Sequence, residues 1–160
     1  MKKLWLLLLS WLFLNVAHAD QTLVGKGDMR WFGIHIYEIE LATPTGRYEV
    51  DSPLELSIRY QLKIDRDKLI SISEEEVVKL GKQWRTEWTE QLKDIWPSIN
   101  KQDVLKISIN SEGASKFYYN GVARGAIADP LFGSNFTAIW LSPNTRESKL
   151  RRKLIGDKNG

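Results

Sequence analysis

Apolar and polar positions alternate along most of the chain and switch to a helical spacing in its middle and near its end, which predicts a sheet interrupted by one helical segment and closed by others. A short strand is expected at Thr22–Val24. Met29–Ala42 reads as a long strand, with Tyr37, Ile39 and Leu41 on one face and Ile34 and Ile36 on the other. Thr43-Pro44-Thr45-Gly46 is a turn signal, and Arg47–Val50 reads as a brief return strand that completes a hairpin. Leu54, Leu56, Ile58, Tyr60 and Leu62 then alternate with Glu55, Ser57, Arg59, Gln61 and Lys63, the pattern of a strand with one buried and one wet face.

Asp65-Arg66-Asp67-Lys68 alternates in sign and reads as a solvated loop. Ser73 followed by Glu74, Glu75 and Glu76 fits a capping box and predicts a helix start, because the serine hydroxyl can accept an amide of the first turn while a glutamate reaches back. Val77, Gly81, Trp84, Trp88, Leu92 and Ile95 recur at three- and four-residue steps until Pro97 ends the helix. A strand follows at Val104–Asn110, and Asn120-Gly121 between Lys116–Tyr119 and Val122–Ile127 predicts a tight hairpin. Asp129-Pro130 is an N-cap with proline at the first helical position, opening a helix whose Phe132, Phe136, Ile139 and Trp140 point inward. Thr145–Ile155 is a final basic helix ended by Gly156. The sum is a single α+β domain in which helices cover one face of a mostly antiparallel sheet.

The opening residues change the picture of where this domain works. Lys2 and Lys3 precede an apolar run from Leu4 to Val16, and Ala17-His18-Ala19 is a cleavage site of the A-x-A type, so residues 1–19 are expected to be a signal peptide and residues 20–160 an exported, periplasmic or secreted domain. The run is shorter than the roughly 20 residues that span a bilayer, so no transmembrane segment is expected after cleavage. Removal of Lys2 and Lys3 lowers the formal charge of +3 by two. The lysines and arginines are dispersed, so nucleic acid is not an expected partner. The chain has no cysteine, which excludes disulfides, thiolate metal sites and cysteine nucleophiles. With His18 removed, His35 is the sole histidine and reads as a structural residue in its strand. No cofactor motif is present.

Several words in fixed order resemble the chalcone isomerase-like family, in particular its short secreted bacterial branch. They are Gly25-Lys26-Gly27 with Arg30, Trp31 and Tyr37–Leu41, the strand end Arg59-Tyr60, and the tryptophan-rich segment closing with Ile95-Trp96-Pro97. In the second half they are Phe117–Gly121, Ile127-Ala128-Asp129 before Phe132, Ile139–Pro143, Leu150-Arg151 and Leu154-Ile155-Gly156. The resemblance implies an open-faced β-sandwich with a ligand cleft between sheet and helices. It further implies one of two chemistries: closure of a flavanone ring by plant enzymes, or binding of a fatty acid whose carboxylate is gripped by an arginine and a tyrosine. Aligned back from Tyr37 without gaps, the family arginine falls near Met29, one place from Arg30, and the threonine of the enzymes falls on Tyr37, a tyrosine as in the fatty-acid-binding members. The segment corresponding to the enzymes' Tyr-x-x-Lys-x-x-x-Asn motif, Leu69–Glu75, holds no tyrosine.

The candidate ligand-binding residues are therefore Arg30, Tyr37, Trp84 and Trp88, and the expected guest is a small amphipathic or carboxylate ligand such as a fatty acid. A guanidinium offers a carboxylate a fixed fork of donors and a phenol adds one more. Seven residues is an odd separation, so Arg30 and Tyr37 share a face only if a bulge, expected near Gly33, inserts one residue. Trp84 and Trp88 read either as an aromatic wall of the cleft or as helix-on-sheet packing. Two other classes stay open: an intramolecular lyase using Tyr37, Arg30 and ordered water, and a cavity-free protein-interaction module.

Overall fold

Six strands form one antiparallel sheet in chain order: β1 (Thr22–Trp31), β2 (Ile34–Thr43), β3 (Leu54–Tyr60), β4 (Val104–Ile109), β5 (Ser115–Tyr119) and β6 (Val122–Ile127). The structure, a computed structural model, describes residues 20–157, so the expected signal peptide at 1–19 lies outside the described residues. Four helices, α1 (Arg66–Lys79), α2 (Thr86–Ile95), α3 (Pro130–Leu141) and α4 (Ser148–Ile155), complete an α+β domain. None of them is long and apolar enough to cross a membrane.

The long strand expected over residues 29–42 is two strands. Phe32 and Gly33, with φ of 47° and 79°, turn the chain back on itself, and Met29 pairs with Tyr37 across the hairpin. Periodicity misses this break because both arms continue the same alternation. The return strand expected at Arg47–Val50 does not form. Residues 44–53 are a loop, and β2 pairs directly with β3, from Ala42 opposite Glu55 to Tyr37 opposite Tyr60. The hairpin at Asn120-Gly121 forms as its sequence predicts, with φ of 48° and 82°.

The single long helix expected between Ser73 and Pro97 is likewise two. Gly81, at φ 73°, takes the chain out of α1, and Trp84 precedes α2 rather than lying within it. The helix also begins earlier than the capping box implies. The polar run at 65–68, read as a loop, is its first turn, and Leu69, Ile70, Ser73 and Val77 make its buried stripe. Ser73 is not a cap: its hydroxyl donates to the Leu69 carbonyl one turn back at 2.8 Å. Asp129 does cap α3, accepting from the Leu131 amide at 3.0 Å. The same carboxylate accepts from the Arg85 guanidinium at 2.7 Å and the Trp88 indole at 3.0 Å, tying α2 to the start of α3.

Helix α3 is buried on most of its surface, packing on β5 and β6 and flanked by α1 and α4. Beneath it Phe117, Phe132, Phe136, Trp96 and Trp140 form a chain of mostly edge-to-face rings over the inner face of the sheet, where Ile39, Leu41, Leu56, Ile58, Leu105 and Ile107 are buried. At the other edge α4 lies directly on β1. A Cβ on Gly25 would strike the carbonyls of Lys153 and Leu154, and one on Gly27 would strike the Leu150 side chain. The Gly25-Lys26-Gly27 word thus exists so that helix backbone can touch strand backbone.

Gly25→Ala is accordingly expected to lower stability by about 3 kcal/mol, an overpacking cost against unyielding backbone. Gly121→Ala, whose Cβ would meet open space, should lose only the conformational penalty of about 1 kcal/mol. Urea unfolding of the two variants checks the order.

Candidate functional site

The inner face of the sheet is not covered to its end. Where β2 and β3 meet the β1–β2 hairpin, the helices stand off and leave a cleft of about 870 Å³ between the sheet, α1 and the α3–α4 connection. Its floor is aromatic: Tyr37 from β2, Tyr60 from β3, Trp96, and Phe136 and Trp140 from α3. Met29, Leu69, Ile72 and Ile139 add aliphatic walls, and Lys63, Lys68, Glu75, Glu76, Lys79 and Arg146 surround the opening. A smaller hollow of about 630 Å³ lies at the opposite end of the strands, between Leu54, Ile109, Leu141 and Arg151.

Tyr37 is the polar centre of the floor. Its hydroxyl accepts a hydrogen bond from the Trp140 indole at 2.8 Å, and its ring meets those of Tyr60 and Trp140 edge-on, at 5.9 and 6.4 Å. Burial pushes its pKa from the ordinary 10.0 up to about 12, against the opposing effect of the Trp140 hydrogen bond, with Glu147 and Glu76 adding to the rise. Burial pushes Tyr60 up as well, further still. Both phenols are therefore neutral near pH 7 and act as hydrogen-bonding groups rather than bases. The Trp96 indole N–H, also buried, has no partner among the described residues.

The rim is held by ion pairs. Glu76 on α1 accepts two bonds from the Arg146 guanidinium, at 2.8 and 3.2 Å, and lies 3.2 Å from Lys79, which also pairs with Glu75 at 2.8 Å. Lys63 and Lys68 stand exposed at the same opening and form no ion pair among the described residues. Aromatic surface below and mixed charge above suit a guest with an apolar body and a polar end.

Of the four residues expected to bind ligand, only Tyr37 lines this cleft. A register shift does occur in the first hairpin, but it sits at Ile36: Met29 pairs with Tyr37, Arg30 with His35, and Ile36 is the extra residue. Gly33 is a turn residue, not the bulge. The shift leaves Met29 and Trp31 facing the cleft and Arg30 between them facing away, where its Nε donates to Asp28 at 2.8 Å. Arg30 and Tyr37 do not converge. Trp84 and Trp88 are equally remote. Trp88 is buried, the two rings meet edge-on at 5.7 Å, and the space beneath them is filled by Phe132. Packing, not a ligand wall, is their role.

The residues that sequence reasoning missed had partial signals. Tyr60 lay in the buried row of its strand and Trp140 on the inward face of its helix, yet neither pattern shows that the two open onto one cavity. Arg146 and Glu76 belong to segments read as a basic helix and an N-terminal cap, and only the tertiary structure brings them together.

Comparison with known proteins follows the same lines. The sequence model of the chalcone isomerase-like family matches residues 22–156. An uncharacterized protein of Haemophilus influenzae is 29% identical over 160 residues, covering 98% of this chain and 78% of its own. The crystal structure of a fatty-acid binding protein of Arabidopsis thaliana superposes with a TM-score of 0.62 at 11% identity, covering 84% of this chain and 86% of that one. At that identity the likeness is one of fold.

Two measurements test the floor. Tyr37→Phe strands the Trp140 N–H and should lower stability by about 1–3 kcal/mol, read by thermal unfolding near neutral pH. The raised pKa makes wild-type stability insensitive to this group below pH 10.0 and weakens it as pH climbs toward about 12, because the unfolded chain ionises first. Tyr37→Phe should flatten that alkaline decline in part, since Tyr60, Tyr48 and Tyr119 are raised as well and keep contributing to it.

Proposed function

The chain belongs to the chalcone isomerase-like family, and on that premise we propose that it is an exported, non-catalytic protein that holds a small amphipathic molecule, of the fatty-acid type, in the cleft between sheet and helices. The observation that carries this reading is the cleft itself: about 870 Å³ of aromatic and aliphatic surface beneath a ring of charged side chains. That volume lies in the range of small-molecule sites. The fold shared with a plant fatty-acid binding protein supports the same reading, as does the signal-like segment at residues 1–19, which supports export.

The floor favours holding over turnover. Tyr37 is a neutral phenol already bonded to Trp140, and His35, the sole histidine among the described residues, does not line the cleft. The segment in the position of the enzymes' tyrosine- and lysine-bearing motif supplies Leu69, Ile72, Ser73 and Glu75 instead. A proton-transferring group positioned in the apolar interior is what an isomerase needs, and these side chains offer none beyond the two phenols. A cavity-free interaction module fits poorly with a hollow of this size.

Within the cleft the polar end of the guest belongs at the rim, near Lys63, Lys68 and Arg146, because carboxylate desolvation beneath an aromatic floor without a cation is unfavourable. Met29 faces the cleft directly opposite Tyr37, in the place where the family arginine aligns. Met29→Arg would therefore add a guanidinium beside the phenol and should tighten binding of a long-chain fatty acid by about tenfold or more, through a charge-assisted hydrogen bond. Ile139→Trp, which fills the cleft, should weaken it by a similar factor. Titration with a fluorescent long-chain fatty acid reads both, and mass spectrometry of the natively purified protein identifies the resident molecule. Failure of the wild type to bind, or indifference to Ile139→Trp, would refute the reading.

A further inference from the structure

Two hairpins in this sheet turn on the same backbone and differ in what they place there. Phe32-Gly33 has φ of 47° and 79°, and Asn120-Gly121 has φ of 48° and 82°. Asparagine is the ordinary residue for the first position, since its short polar side chain tolerates the left-handed region, whereas a bulky ring is strained in it. Phe32 gains little from packing in return: its one ring contact is edge-on with Trp31 at 5.0 Å, and it stays 88% exposed, with Trp31 and Ile34 beside it 63% and 57% exposed. Backbone strain and apolar surface left in water fall on one side chain, so folding does not account for it.

This tip is also the lip of the cleft. Trp31 and Ile36 line the opening together with Ile72 of α1, itself partly exposed, so apolar surface runs from the hairpin into the interior. Arg30 beside the tip and Lys63 and Lys68 at the rim place exposed cations at the same end of the molecule, alongside Asp28, Asp65 and Glu75. We propose that the tip of the β1–β2 hairpin, Trp31, Phe32 and Ile34, inserts into the head-group region of a lipid bilayer and sets the mouth of the cleft against the membrane.

A bilayer fits better than a protein partner on grounds of area. Three side chains around a two-residue turn fall well short of the about 800 Å² per partner that a stable protein interface buries. Tryptophan and phenylalanine side chains, in contrast, settle at the lipid interface through burial of their own surface. The membrane contact stands without any assignment of the guest. That it also serves to load the cleft rests on the ligand reading above.

The test uses residues 20–160, which include every core residue among those described, so that the apolar N-terminal segment does not itself bind lipid. Flotation with vesicles of phosphatidylethanolamine and phosphatidylglycerol in equal parts, and with phosphatidylcholine vesicles, measures the partition. Phe32→Asn, which installs the residue used at the other turn, should unfold at the same or a higher temperature while partitioning at least about tenfold less. Val122→Asn, which removes an exposed apolar side chain from the other hairpin, should partition as the wild type does. A wild-type protein that does not float, or a Phe32→Asn protein that floats equally well, overturns the proposal. So does a lipid-free dimer in sedimentation that Phe32→Asn converts to monomer, since a second copy would then cover the tip. Binding of a fluorescent fatty acid in vesicle-free buffer separates the two readings: Phe32→Asn should retain it, and its absence from the wild type would end the ligand reading while leaving the flotation result to stand.

Discussion

The hydrogen bond from the Trp140 indole to the Tyr37 phenol joins the sheet to its central helix at the place where the two layers part. The indole is buried and the phenol half-buried in aromatic surroundings, and the indole N–H, which can only donate, finds its acceptor in the phenol oxygen. The pair fixes the height of α3 above β2 and with it the floor of the cleft. At the rim, α1 is tied to the α3–α4 connection by Glu76 with Arg146, an arginine whose side chain is largely exposed. Exposed pairs of this kind contribute little to stability. The cleft therefore has a hydrogen-bonded base and a rim held by weaker, solvent-exposed pairs.

What the sequence made legible was mostly short-range chemistry, the capping box read at Ser73 being the exception. Strand alternation at 54–60 and 104–109, the Asn-Gly turn, the Asp-Pro helix start and the glycine end of α4 all follow from local sterics or hydrogen bonding, and all form where expected. The break at Phe32-Gly33 was hidden because phenylalanine is not a turn former and the alternation continues through it. The break at Gly81 was hidden because the helical spacing of Val77, Gly81, Trp84 and Trp88 survives a change of helix: Trp84 returns to the same aromatic cluster from a loop, with its indole bonded to Thr89. Local patterns report which side chains are buried, not which of several elements delivers them.

The site was less legible for a sharper reason. A strand puts neighbouring residues on opposite faces, so an error of a single position exchanges inside for outside. Met29 and Arg30 show the consequence. The chemically attractive residue, a guanidinium, faces solvent and Asp28, while the unremarkable one faces Tyr37. The one-residue shift at Ile36 decides between them, and bulges leave no dependable mark on a single sequence. Trp84 and Trp88 illustrate the complementary error, since a pair of large rings at helical spacing satisfies a core as readily as a cavity wall. Here Phe132 and Asp129 already occupy their ring faces and the Trp88 N–H.

Most departures from ordinary residue choice in this chain have a visible return inside the molecule. Gly25 and Gly27 sacrifice strand propensity and let α4 lie against β1. Gly125 leaves room for Ile95 of α2. The Asp129 carboxylate, partly buried, serves a helix cap, an arginine and an indole at once. Phe32 has no such return. Its backbone is left-handed, its one ring contact is with Trp31, which is itself exposed, and the equivalent turn at Asn120 shows that the same geometry is reached without strain. A strained, solvent-facing aromatic residue without a return inside the molecule is the ground of the proposed membrane contact. Apolarity alone would not single out the hairpin, because scattered exposed aliphatic residues such as Val78 and Val122 are common on protein surfaces and require no explanation.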